Sequence, residues 1–454
     1  MTAEMAIEDD VLVIGGGLAG SMAALAAADA IDDARVRLVT YKQSTLRHAS
    51  GLIDVLGYTP DGEGPLVDPF DALADLPDGH PYERVGSEAV REGLAFFDEI
   101  AGDAYAGAHT DANALVPTHG GTVKPTARYP ASTAAGLASD DRDALLVGFK
   151  TLPDFEAPLA AEHLAAAGAP FSARGVTISF PGIVRDDAKV TRYAHLLDQD
   201  ESVATSAGET GAREALARTV GAHLEGEPRV GFPAVLGDEH AAEVRAALSA
   251  ALGADVFEIP MGPPSLPGVR LEDLLYAALE DAGVRVTSGV PVVEYEAGDT
   301  AGADPADEAV AADGGSDADR IDHVVVDRHG AEIPHRAEQY ILATGGLVGK
   351  GVRSERERVF EPIFDCHVPH AADRYDWFVD DAFGEQPYAR FGLEPDRELR
   401  PLDADGDPEF ANLRAAGAVL GGYDFAAEKS GAGVSIATGY VAGRRAAEEA
   451  GAGR

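Results

Sequence analysis

The sequence predicts an α/β protein built on a doubly wound sheet, and three observations carry that prediction. An apolar run at 11–14 leads into Gly15-Gly16-Gly17-Leu18-Ala19-Gly20 and then an Ala-rich stretch at 21–30. A second apolar run, 36–40, returns where a βαβ unit requires it. Further along, apolar runs of strand length alternate with stretches of helical pattern.

The elements follow in order. Residues 11–40 read as strand, Gly turn, helix and strand, half of a nucleotide-binding (Rossmann-like) fold. Residues 58–130 are rich in Pro, Gly and Asp, with one helical stretch at 87–100. A strand at 143–149 opens a block with a helix at 154–168 and strands near 174–180, 229–235 and 255–259. That block has no second Gly-rich phosphate loop, so it reads as an α/β cap domain inserted into the first fold. Residues 268–296 read as helix, turn, strand, strand. The acidic, low-complexity stretch 297–320 reads as an exposed loop. A strand at 339–343 runs into Thr344-Gly345-Gly346, and the chain closes with a strand, a Gly-rich turn and a long helix. The expected division is a cofactor domain of residues 1–57, 262–350 and 411–454, with a cap or substrate domain of 58–261 and 351–410.

Composition narrows the function. The formal net charge is -42, from 78 acidic and 36 basic residues in a chain of 454, and Lys occurs at only six positions. Such a surface repels itself in dilute buffer. It becomes tolerable in molar salt, where the Debye length falls to about 3 Å. The chain therefore reads as a cytoplasmic protein of a salt-accumulating, halophilic archaeon, and nucleic acid is disfavoured as a partner. Cys366 is the single cysteine, so an internal disulfide is excluded, and so is an iron–sulfur cluster held by this chain alone. No stretch matches a membrane helix, and the first residues lack the pattern of a signal peptide.

Three Gly-rich cues carry the chemistry. Gly15, Gly17 and Gly20 form G-x-G-x-x-G between strand and helix, where a phosphate meets the helix N-terminus; Gly16 lies within the loop. The second strand ends Val39-Thr40-Tyr41, without the acid that binds an adenosine ribose, which leaves FAD and FMN both open. Thr344, Gly345 and Gly346 form the second cue, small residues at a strand end that can approach a cofactor. Gly417, Gly421 and Gly422, followed by Gly431 and Gly433 at the start of the last helix, form the third. A helix N-terminus aimed at the N1 and C2-carbonyl side of a flavin stabilises its reduced, more negative form. In this order the cues point to a flavin rather than NAD.

The segments VLVIGGGLAG (11–20), QSTLRHASGLIDVLGYTPDG (43–62), VPTHGGTVKPT (116–126) and IPMGPPSLPGVRLEDLL (259–275) carry a narrower resemblance, as does NLRAAGAVLGGYDFAAEKSGAGVSIATG (412–439). With them the chain resembles, nearly end to end, the B subunit of anaerobic glycerol-3-phosphate dehydrogenase, among the fumarate-reductase-like flavoproteins. The resemblance implies FMN as cofactor, with FAD not excluded. It implies oxidation of sn-glycerol 3-phosphate to dihydroxyacetone phosphate with electrons passed to a quinone. Its expected partners are the A subunit, which is the primary dehydrogenase, and a cysteine-rich, iron–sulfur C subunit, through which any membrane contact would run. The alternative is a protein without substrate chemistry that relays electrons through FMN.

Candidate chemical residues are Arg47 and His48 after the second strand, continuing into Ser50 and Gly51 beside the expected flavin. An Arg grips phosphate with paired hydrogen bonds, and a His takes an alcohol proton near neutral pH. Lys124, with Thr122 and Thr126, lies in a Gly-Pro loop suited to an anion, and Arg270 stands near a helix start. Cys366, His367 and His370 have weak spacing for a metal, and Trp377 and Phe378 read as packing residues.

Overall fold

The computed structural model describes residues 6–31, 33–185, 188–206, 208–298, 318–382 and 384–452. Most of the expected acidic loop, 299–317, lies outside the described residues.

Strand β1 (Ile7–Ile14) is buried over its last six residues because it runs through the middle of the main sheet. Helix α1 (Leu18–Ala30) follows, buried along its first ten positions, and strand β2 (Val36–Thr40) lies parallel to β1. Helix α2 (Ser87–Ala101) presents Val90, Leu94 and Phe97 to the same core. Strand β3 (Ala144–Phe149), helix α3 (Ala157–Ala166) and strands β4 (Ala173–Ile178), β5 (Arg229–Pro233) and β6 (Asp255–Ile259) build a second unit. Helix α4 (Leu266–Asp281) leads back to strands β7 (Arg285–Ser288), β8 (Val292–Ala297), β9 (Ile321–Arg328) and β10 (Ala331–Leu342). Strand β11 (Leu413–Ala415) and helix α5 (Gly431–Ala452) close the chain.

The main sheet has the order β7-β2-β1-β10-β9-β8, with β11 also paired to β10. Pairing is parallel from β7 through β10 and on to β11, and antiparallel among β8, β9 and β10. Register places Ile14 opposite both Val39 and Leu342, and Leu342 opposite Ala415. The carboxyl ends of β1, β2, β10 and β11 therefore line one sheet edge, where open α/β sheets bind ligands. This register brings Gly15, Thr344 and Gly417 together although they stand far apart in sequence.

A separate four-stranded parallel sheet, β6-β5-β3-β4, carries its own core from Ala138 to Met261. Helix α2 and much of 352–410, which lie inside the expected cap ranges, pack into the first core. Gly93 of α2 shows why: a Cβ there would stand 3.2 Å from Ala437 Cα on α5.

One buried ion pair joins the two cores. Arg270 on α4 meets Glu258 on β6 at 2.6 Å, and its guanidinium also donates to the Gly237 carbonyl. Burial acts to raise the Glu258 pKa, and Arg270 more than offsets it, holding the carboxyl below its usual range. Removing one partner of such a pair strands the other charge, a loss of about 3–5 kcal/mol. We therefore expect Arg270→Met to lower the melting temperature clearly in molar KCl, followed by circular dichroism. Alanine at Arg358, whose partner Asp365 is also exposed, should leave it nearly unchanged.

Candidate cofactor site

The loop after β1 is packed at backbone distance. Gly15 has φ +120, and a Cβ there would stand 2.2 Å from the Ala343 carbonyl oxygen. A Cβ on Gly20 would stand 1.8 Å from the Gly15 oxygen. Both are glycine because turn, helix and strand end touch. Gly17 differs. Its φ is an ordinary -82, and the nearest atom to a Cβ would be Ser44 Oγ at 4.0 Å. No side chain caps α1 at Gly17, and no acidic residue occupies its first turn. The positive end of α1 thus faces open space and can receive an anion.

Tyr276 on α4 steadies the loop, its hydroxyl donating to the Gly16 carbonyl at 3.4 Å. Beside the loop, Thr344 Oγ1 is buried without a hydrogen-bond partner. The open cradle over Gly17 at an uncapped helix start fits the phosphate end of a nucleotide cofactor. Gly346 lies against the Ala418 oxygen (2.6 Å to a Cβ), while Gly345 turns the chain at φ +82. Gly417 packs on Ala19 and donates its N–H to Thr438 Oγ1 at 2.8 Å. At the end of β2, the Thr40 hydroxyl donates to the Lys42 carbonyl and Tyr41 is 57% exposed, so no carboxylate stands at the ribose position.

The start of α5 is engaged in part by the chain itself. Its N–H groups are not all free for a cofactor: Ala432 N–H donates to Asp54 Oδ1 at 3.2 Å and Gly433 N–H to the Asp54 carbonyl at 2.7 Å. Asp54 is buried, and its other carboxylate oxygen pairs with Lys124 Nζ at 2.8 Å. The dipole end is satisfied from within the chain. The glycines here also have packing reasons. A Cβ on Gly433 would stand 2.2 Å from the Tyr82 hydroxyl, one on Gly421 2.8 Å from the Arg390 oxygen, and one on Gly422 2.5 Å from the Gly79 oxygen. Gly431 is less confined, with Phe425 Cβ at 3.3 Å.

A second buried contact holds this closing segment. His80 Nδ1 accepts the Tyr82 N–H at 3.0 Å, so the ring proton sits on Nε2, which donates to Glu428 Oε2 at 3.1 Å. Glu428 also accepts the Asp424 N–H and the Ser430 hydroxyl. Asp54, His80 and Glu428 were not among the residues the sequence singled out. The signal for Asp54 is a lone carboxylate inside the apolar run Leu52-Ile53-Asp54-Val55-Leu56.

The predicted chemical residues fall in three places. Arg47 pairs with Glu272 of α4 at 3.1 Å; burial raises the Glu272 pKa and Arg47 draws it back. His48, exposed, ends the same short turn, which lies on the Pro-rich start of α4: Ser265 N–H donates to the Arg47 carbonyl. Ser50 Oγ accepts the Leu52 N–H, and Gly51, at φ +75, faces Pro267. Lys124 stands with Asp54. Arg270 belongs to the pair between the cores. All three cations are thus partnered by carboxylates of this chain. Exposed His119, also not singled out, lies beside Gly262, its Nε2 3.4 Å from where a Cβ would be. Thr122 shares a hydrogen bond with Thr118, and the Thr126 hydroxyl donates to the Lys124 carbonyl. Cys366 is buried, which pushes its thiol pKa up, and His370 is bonded through both ring nitrogens to the backbone of Val359 and Val368. Trp377 is buried, as a packing residue should be, but Phe378 is 43% exposed.

The family described as FAD binding domain matches residues 10–434. A probable B subunit of anaerobic glycerol-3-phosphate dehydrogenase from Halobacterium salinarum is 62% identical over 98% of this chain and 99% of its own length. The B subunit of the anaerobic enzyme from Pectobacterium atrosepticum is 31% identical over 94% of this chain and 96% of its own. The chain belongs to the B-subunit family of anaerobic glycerol-3-phosphate dehydrogenases. It is a flavoprotein of the FAD-binding type. In this flavoprotein the open cradle lies at the strand ends, as in other α/β nucleotide folds.

The glycines of the loop can be separated experimentally. Gly17→Val should fold with an unchanged melting temperature, because its Cβ meets nothing closer than 4.0 Å. It should bind flavin weaker by roughly 30-fold, about 2 kcal/mol, because the side chain fills the phosphate approach. Gly20→Val should instead lose the fold. Flavin titration with parallel melting curves distinguishes the two.

Proposed function

We propose that this chain is the flavin-carrying member of a complex that oxidises sn-glycerol 3-phosphate to dihydroxyacetone phosphate and passes the electrons to a quinone. The observation that carries the reading is the uncapped, unfilled start of α1, in a B-family chain whose strand ends converge there. A flavin bound there supplies an acceptor for the hydride equivalent of a secondary alcohol. The chain's own part is to hold the phosphate end at Gly16 and Gly17 and keep the loop in place through Tyr276. The insertion built on the second core is the proposed cap over this edge.

The missing carboxylate after β2 supports FMN over FAD. The single buried cysteine supports placing iron–sulfur clusters in a partner, the cysteine-rich C subunit, with the A subunit as primary dehydrogenase.

One observation favours a second reading, an electron relay without substrate chemistry. Arg47, Lys124 and Arg270 are each neutralised by a carboxylate of this chain, whereas a phosphate ester is gripped by free cations. An anaerobic titration separates the two readings. The flavin released from the purified chain is expected to be FMN by mass. Loss of the visible flavin band on adding glycerol 3-phosphate to the isolated chain in molar KCl would place the alcohol oxidation here. Bleaching only after the A subunit is added would make the chain a relay, and a chain that binds no flavin would sink both readings.

A further inference from the structure

Of the eleven large apolar side chains exposed on the described surface, four, Tyr375, Phe378, Val379 and Tyr388, fall within one short stretch. Their exposure ranges from 41% to 73%. The stretch is braced from inside. Trp377 is buried, its indole N–H donates to the Ala371 carbonyl at 2.7 Å, and its ring meets His370 and Phe391 edge-on at 5.5 and 6.1 Å. The Gln386 side chain accepts the Val379 N–H at 3.1 Å and donates to the Asp381 carbonyl at 2.7 Å. Tyr375 and Phe378, rings 6.5 Å apart, are therefore held outward by a fixed scaffold.

The surroundings of this face say what covers it. Asp373, Asp376, Asp380 and Glu385 are exposed around the aromatic centre, with Arg374 and Arg390 among them. At its far end the stretch is bonded to the turn that closes the cofactor site: Gly422 N–H donates to the Arg390 carbonyl and Leu393 N–H to that of Val419. Phe425, just past that turn, is 46% exposed. Elsewhere this chain keeps its surface strongly acidic, at a net charge of -42. In molar salt long-range attraction is screened within about 3 Å, so only contact pairs and apolar burial can hold a partner. An aromatic centre with an acidic rim has that composition.

We infer that the face carrying Tyr375, Phe378, Val379 and Tyr388 is the docking surface for the cluster-carrying partner, a protein presenting an apolar centre inside a rim of Arg or Lys. The inference rests on reading the chain as one member of an electron-transferring complex. The partner seats beside the 417–425 turn, next to the cofactor site rather than over the second core.

Hydrogen exchange on the wild-type chain tests this, alone and in the complex purified with it in molar KCl. Amides of 372–382 and 384–391 should exchange at least about tenfold slower in the complex. The triple variant Tyr375→Ser, Phe378→Ser, Tyr388→Ser should keep its flavin and melting temperature. Its affinity for the purified cluster-carrying partner should fall by about 30-fold or more, the loss of one aromatic anchor. Unchanged exchange at 372–382 and 384–391, with another face protected in the complex, would overturn the inference and leave the reading of the chain as part of a complex standing. Protection that appears only as the chain self-associates would overturn it too, making the face a contact between copies. A chain that joins no complex under any salt would overturn both.

Discussion

Gly439 and Gly443, one turn apart on α5, lie against the carbonyls of Ala19 and Ala23, one turn apart on α1. A Cβ on either glycine would stand 2.5 or 2.2 Å from those oxygens. Ordinary helix pairs keep their axes 8–10 Å apart through side chains; here small residues let backbone meet backbone. Any larger residue at these positions would push α5 off α1, and with it the 417–433 segment that α5 carries. The Gly417 turn rests on Ala19 of the same helix, so the phosphate loop and the closing turn share one support. The cofactor edge depends on that contact between the first helix and the last.

The closing segment is then fixed by groups of the chain itself. Asp54 takes two N–H groups at the start of α5, and its carboxylate is balanced by Lys124. Capping of this kind stabilises a helix by about 0.5–2 kcal/mol. The His80–Glu428 hydrogen bond ties the same segment to the residues before α2. The two helix ends at this edge are thus unlike. The α5 end is satisfied by an internal anion, while the α1 end is left for an external one. An edge with one satisfied and one open dipole is organised before any cofactor arrives, and the open end decides where a phosphate can go.

This division also explains what the sequence made legible. G-x-G-x-x-G is a local pattern between strand and helix, so the tight turn at Gly15 and its close contact with Gly20 could be read directly, while the Ala343 carbonyl that also confines Gly15 could not. The parallel strands and the helix at α4 were equally visible, because periodicity is local. The roles of Gly421, Gly422 and Gly433 were not, since each is glycine to admit a backbone or hydroxyl from a distant segment: Arg390, Gly79 and Tyr82. Arg270 illustrates the same limit. Its position at a helix start hinted at ligand binding, but its partner Glu258 comes from another sheet, and only the packing of two cores brings them together. Helix α2 was visible as a helix, yet its allegiance to the first core depends on Gly93 meeting α5.

Charge ties these observations to the medium. Screening in molar salt reaches every exposed ion pair, so pairs such as Arg218 with Glu214 add little. It does not reach Arg270 with Glu258, or Arg414, which is fully buried between Gln339 and Glu449. Burial lowers the Arg414 pKa, and Glu449, itself half-exposed, opposes that shift. Arg414 sits on β11 and Glu449 on α5, so this pair ties the last strand to the last helix. The acidic surface serves solubility, while a few interior charges set which elements meet. The cofactor edge lies where those interior contacts and the α1–α5 packing agree, and its geometry is therefore insulated from the salt that the surface requires.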